Sequence, residues 1–174
     1  MKALVWLLAF VLLLALEAPI LRASEHAFLL PDVVVLAAIY LGSRAGWASG
    51  LLTAAAVGLF KDGFALAAPV GVFTEIAALG FLATRLVARR VDLGSAMPTM
   101  ATCGVGTFVA TLLFLLFEVI FHRAFDAWEE VLKAAPSIAL GTMLVAVPVF
   151  GGLDRLAGLL QRGERMRGVS GRLR

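Results

Sequence analysis

The residues of this sequence with the most capacity for chemistry are carboxylates placed in or beside apolar runs. Glu75 lies between Phe73 and Ile76. A carboxylate in hydrocarbon costs roughly 2.5 to 3.5 kcal/mol on insertion scales, so Glu75 is expected to face protein, carry a proton or line a wet cavity. Gly71, Glu75 and Leu79 share one helical face. Glu17, towards the end of the first apolar run, poses a milder version of the same problem. Two such acids could carry protons, but pumps and transporters bring more intramembrane partners than these. Asp32 opens an apolar run after Pro31, and Asp62 closes another between Lys61 and Gly63. If both runs are crossing helices, the two aspartates lie near the same membrane face. There they can share a polar cluster with Lys61 or bind free helix N-termini, although Asp32 is also an ordinary first-turn acid. Glu118 and His122, spaced i, i+4, could form a pH-sensitive pair or simply anchor an interface.

Other chemistry is poorly supplied. His26 stands alone, and two histidines with one cysteine offer neither a disulfide framework nor a recognised metal spacing. Cys103, between Thr102 and Gly104, has no charged neighbour to activate it and reads as a small packing residue. There is no H-E-x-x-H, no G-x-S-x-G, no phosphate-cradling glycine loop and no aspartate cluster for magnesium. No catalytic residue, metal or cofactor is expected.

The elements that hold these residues are set by composition. The chain has 174 residues, 61% apolar and 16% charged, with a mean hydropathy of +0.98. That is too apolar for a water-facing globular surface. Apolar stretches at about 3–21, 28–42, 45–60, 67–88, 96–121 and 134–160 predict an all-α polytopic membrane protein, six transmembrane helices in one bundle over residues 1–160. The second and third are short and form a tight hairpin around Gly42-Ser43-Arg44-Ala45-Gly46. Glu17-Ala18-Pro19 offers no convincing cleavage site, so the first run is expected to remain as an anchor. With the N-terminus inside, the inner segments hold eleven Lys and Arg residues and the outer ones four. The positive-inside rule then places both termini in the cytoplasm.

Three patterned segments stand out. Gly46, Gly50, Ala54, Gly58 and Asp62 fall every four residues, a small-residue stripe suited to close helix packing. The second or fourth span could fill it, or another protein. Phe121, Phe125, Trp128 and Leu132 oppose Asp126, Glu129, Glu130 and Lys133. This predicts an amphipathic helix along the outer interface, either a plain connector or a docking surface. Residues 161–174 carry five arginines among glycines and are expected to form a flexible basic cytoplasmic tail that binds anionic lipid. No aromatics interleave with them, so nucleic acid is not an expected target.

The run from Pro31 to Gly71 resembles the rod shape-determining protein MreD family of bacteria. Pro31-Asp32 before Val33-Val34-Val35-Leu36 and Tyr40-Leu41 is similar to that family's proline-aspartate opening of a span. Gly46 and Gly50 fit its glycine-bearing next span, Gly58-Leu59-Phe60-Lys61-Asp62 its G-L-x-x-D ending, and Pro69-Val70-Gly71 its P-L-G turn, with valine in place of leucine. The resemblance implies a non-catalytic inner-membrane component of the elongation (Rod) complex that inserts side-wall peptidoglycan in rod-shaped cells. Its implied partner is MreC, and through it MreB, RodZ, RodA and a class B penicillin-binding protein. On this reading the stripe ending at Asp62 and the segment around Trp128 hold MreC's membrane anchor.

The alternative is a solute-binding membrane subunit of an energy-coupling-factor vitamin transporter, whose fold the MreD family is thought to share. Against it, the first span lacks that family's Ala-x-x-x-Ala face, since Leu7 and Leu13 stand four residues after Ala3 and Ala9. A vitamin pocket would have few side chains to draw on, namely Glu17, Glu118, His122 and Trp128.

Overall fold

A computed structural model describes residues 2–23, 31–64, 70–121 and 128–170. These form six helices: α1 (Lys2–Ala23), α2 (Val33–Arg44), α3 (Trp47–Phe64), α4 (Val72–Val87), α5 (Ala96–Phe121) and α6 (Trp128–Ser170). No strand occurs among the described residues. Two of these helices are long and apolar enough to cross a membrane, α5 over its whole length and α6 between Trp128 and Leu159. Only 17% and 33% of their most apolar windows are buried inside the protein. A soluble protein's core helix would be mostly covered, whereas these turn Val105, Leu112, Leu116, Leu140 and Leu144 outward.

The organising element is α2. It is apolar on every side, and every residue from Val33 to Gly42 is buried. A helix hydrophobic all round has to sit at the centre of a bundle, and α2 packs against each of the other five. Its 12 residues span roughly 18 Å, well short of a hydrocarbon core about 30 Å thick. Its N-terminus is half-buried at Asp32, while its C-terminus reaches the exposed Arg44. The expected tight hairpin is present: α2 stops at Arg44, and α3 begins at Trp47.

The small-residue stripe is filled from within the chain. At Gly50 an added methyl would stand 2.6 Å from the Phe81 ring of α4, and at Gly58 it would run into the backbone of Phe73 and Thr74. Ala54 between them is fully buried. Because α4 already lies in this groove, the stripe from Gly50 to Asp62 has no room for another protein's helix, and the expectation that it holds a partner's anchor is corrected. Gly46, at the hairpin end, meets only the Ser49 hydroxyl at 3.3 Å.

Two further expectations change. The amphipathic segment is not a separate interfacial helix among the described residues: Phe121 closes α5, while Trp128 and Leu132 belong to the first turns of α6. Glu129 and Glu130 sit in that first turn, where acids favour a helix start. With Lys133 paired to Glu129 at 3.2 Å, the polar turn runs straight into the apolar span, through Pro136 and Pro148. Phe125 lies outside the described residues. At the other end α6 stays helical to Ser170, so the first part of the segment read as a flexible tail continues the helix.

Replacing Gly58 by Ala should cost about 1 to 3 kcal/mol by overpacking, read as a lower melting temperature in detergent. Gly63→Ala, where nothing lies within 4 Å, should be neutral or mildly stabilising.

Candidate functional site

All six helices contribute to the end of the bundle that holds the acids. The first four N–H groups of a helix have no partner within it, and in a dry interior something else has to accept from them. Asp32 does this for α2 by the usual local route: its Oδ1 accepts from Val34 N at 3.0 Å and Val35 N at 3.3 Å. Its own N–H donates to the Thr142 hydroxyl of α6 at 2.9 Å.

The start of α4 is served from a distance. Its N-cap is Gly71, with φ 107° and no side chain to offer, a backbone conformation that favours glycine. Asp62 of α3 takes over, its Oδ1 accepting from Phe73 N at 2.9 Å and its Oδ2 from Thr74 N at 3.0 Å. The Thr74 hydroxyl adds a third bond at 2.6 Å. Asp62 is 5% exposed, so its charge is stabilised by the amides and the positive end of the α4 dipole. Gly58 lies one turn before it and lets the two backbones come close enough for the carboxylate to reach.

Lys61 points the other way. Its ammonium is 3.4 Å from Glu17 Oε1 of α1 and 3.5 Å from Asp32 Oδ1, and it lies 5.1 Å from the centroid of the Phe73 ring. The two acids thus share one cation in a largely enclosed setting. Beside them is a cavity of about 230 Å³, lined by Glu17, Asp32, Lys61 and Phe73 and closed by apolar residues of α4, α5 and α6. The arrangement can lock helix ends together. It presents no nucleophile with an adjacent base.

The opposite end is held by different chemistry. Arg85 of α4 donates through Nη1 to the carbonyls of Gly42 at 3.2 Å and Ala45 at 2.7 Å, satisfying the C-terminus of α2. Arg44 forms a two-pronged pair with Asp154 of α6, Nε to Oδ1 at 2.8 Å and Nη2 to Oδ2 at 2.9 Å. The Tyr40 hydroxyl donates to the same Oδ1 at 3.1 Å, and the rings of Trp6, Phe10 and Phe150 stand edge-on around Tyr40. A cavity of about 460 Å³ opens here between α1, α2, α3 and α6.

The proposed sharing of a cluster with Lys61 therefore holds for Asp32 and not for Asp62, which binds the amide ends of α4 instead. Glu75 is corrected: α4 begins at Val72 rather than 67, so Glu75 occupies its first turn and is exposed. Near the positive end of a helix such a carboxylate needs no buried partner. Glu118 is 2% exposed on α5 and engaged with the surrounding protein; His122 and His26 lie outside the described residues, as does Pro69. Cys103 is fully buried in packing. Leu59, within the resembling motif, is 59% exposed and stands outside the core. Thr142, Asp154, Arg85 and Arg44 were not legible as joints. The available signal was a hydroxyl or an acid interrupting an apolar run, together with arginines that charge bias alone already explained.

No protein-family model, curated protein or solved structure matches this chain.

Asp62→Ala should strand two amides of α4 and lower stability by about 1 to 3 kcal/mol per bond set, measured by thermal unfolding, with faster hydrogen exchange at the start of α4. Lys61→Met should destabilise by up to about 3 kcal/mol, because it leaves Glu17 and Asp32 facing each other unpaired. Adding Glu17→Gln to Lys61→Met should recover part of that loss, a coupling that a double-mutant cycle reads directly.

Proposed function

We propose that this protein is a non-catalytic, multi-pass component of the bacterial inner membrane, of the MreD type, serving side-wall peptidoglycan synthesis by binding MreC through its membrane helices. The supporting observation is that the residues carrying the resemblance are the ones that join helix ends. Asp32 caps α2, Gly58 admits α4, Asp62 binds the α4 amides, and Gly71 supplies the left-handed turn before them. A motif of that kind encodes a bundle rather than a reaction.

Two physical points favour the rest of the reading. Exposed apolar faces on α5 and α6 suit a bilayer, and a six-helix bundle resembling the energy-coupling-factor subunit fold would place α1 to α4 across it as well. Arg44, Arg85, Arg89, Arg90 and Arg155 gather at one end of the bundle, the end that the positive-inside rule assigns to the cytoplasm. On this reading both termini lie inside and the Glu17–Asp32–Lys61 cluster outside. With the stripe filled by α4, MreC's single span belongs on an outward helix face. MreB, RodZ, RodA and the class B penicillin-binding protein are reached through MreC.

The cavity beside Glu17, Asp32 and Lys61 favours a second reading, capture of a small solute by a transporter subunit. At about 230 Å³ it falls below the roughly 300 to 1,000 Å³ typical of ligand sites, and its charges satisfy one another.

Depletion of the protein should turn rods into spheres, and affinity capture in mild detergent should recover MreC in near-equal amount. Rod shape kept on depletion, with no MreC recovered, would overturn the proposal. A small molecule co-purifying at one per chain would favour the second reading.

A further inference from the structure

An apolar recess lies between α4 and α5, with the side of α2 as its floor. Its volume is about 500 Å³, within the roughly 300 to 1,000 Å³ of small-ligand sites. The floor is Val35, Ala38 and Ile39 of α2, and small side chains such as Ala83 and Ala101 on the walls keep it open. From Ile76 to Val87, both on its lining, α4 rises roughly 17 Å at about 1.5 Å per residue. That length is close to one leaflet of a hydrocarbon core about 30 Å thick.

The chemistry changes at one end only. Val87 and Val91 line the recess and also line an adjoining hollow with Arg89 and Arg90. Both arginines are exposed in the turn after α4 and form no ion pair among the described residues. The nearest acid in sequence, Asp92, accepts from Gly94 N at 2.9 Å and pairs with neither guanidinium among the described residues. An apolar slot one leaflet long that ends at two free guanidinium groups is complementary to a single chemistry: an alkyl chain carrying an anionic head.

We propose that this recess binds one anionic phospholipid, one of its two acyl chains lying along α2 between α4 and α5 and its phosphate held by Arg89 and Arg90. The site rests on the membrane reading but not on the identity of any partner. Guanidinium groups hold phosphate oxygens in a two-pronged fork, and the recess, unlike an annular surface, fixes where the chain lies.

The test is native mass spectrometry of the full chain in mild detergent, titrated with phosphatidylglycerol. One lipid per chain should remain bound, and neither phosphatidylcholine nor inorganic phosphate should displace it. Arg89→Gln with Arg90→Gln should weaken binding roughly tenfold or more. Ala83→Phe, which fills the slot without touching the charges, should abolish it. Both variants should keep the melting temperature of the parent in lipid-free detergent; if Ala83→Phe does not, the arginine variant carries the test alone. Equal retention by the arginine variant, displacement by phosphatidylcholine, or displacement by phosphate alone would overturn the proposal. Those results would leave the membrane assignment intact. That assignment fails separately, if the protein partitions into plain buffer when cells are broken.

Discussion

A short helix buried on all sides has to have its terminal amides and carbonyls satisfied by something other than water, and the architecture of this protein follows from that need. Along α2 only the last residue, Arg44, is exposed. Asp32 closes its N-terminus and Arg85 its C-terminus, and each of those residues is in turn fixed by another helix or lies on one. An unpaired backbone group in such surroundings costs several times the net gain of an ordinary hydrogen bond. The charged residues are therefore placed by the helix ends they serve, and the aromatic and small residues pack around that placement.

Asp62 extends the same logic to α4. A helix that opens on glycine gains a sharp entry and loses its side-chain cap, and the missing acceptor comes from α3. This explains why a glycine and an aspartate four residues apart occur together: the first sets the distance between two backbones, and the second uses it. Lys61, beside Asp62 in sequence, bridges a separate pair of acids, Glu17 and Asp32. Two adjacent charges thus serve two joints, and both touch Phe73 of α4.

Much of this was open to reading along the chain. The count of helices, the hairpin at Gly42–Gly46, the α5 limits and the packing use of the glycine stripe follow from hydropathy and from spacing in fours. Asp32 and Lys61 were recognisable because acids and amines in apolar surroundings need partners. The features that escaped such reading depend on contacts far apart in sequence. Asp154 pairs with Arg44 and Thr142 with Asp32, each across 110 positions, and no local pattern announces either. Glu75 looked buried because the apolar run begins before the helix does; a few residues' difference in its start moves that carboxylate from mid-span to the first turn. The segment at Trp128 looked separate because its periodicity differs from that of the apolar span after it, yet a change of face does not require a break in the backbone.

The separations of these contacts also impose an order on biosynthesis. Asp62 and the start of α4 are only 11 and 12 positions apart, so the loop between them closes at little entropic cost as soon as α4 emerges from the ribosome. The partners that α2 takes from α6, Thr142 and Asp154, are made long after α2 itself. Until then the nascent chain carries α2 with Asp32 lacking Thr142 and Arg44 lacking Asp154. α6 is thus the latch on an assembly whose centre was synthesised long before, and a chain truncated ahead of it would leave that centre ajar.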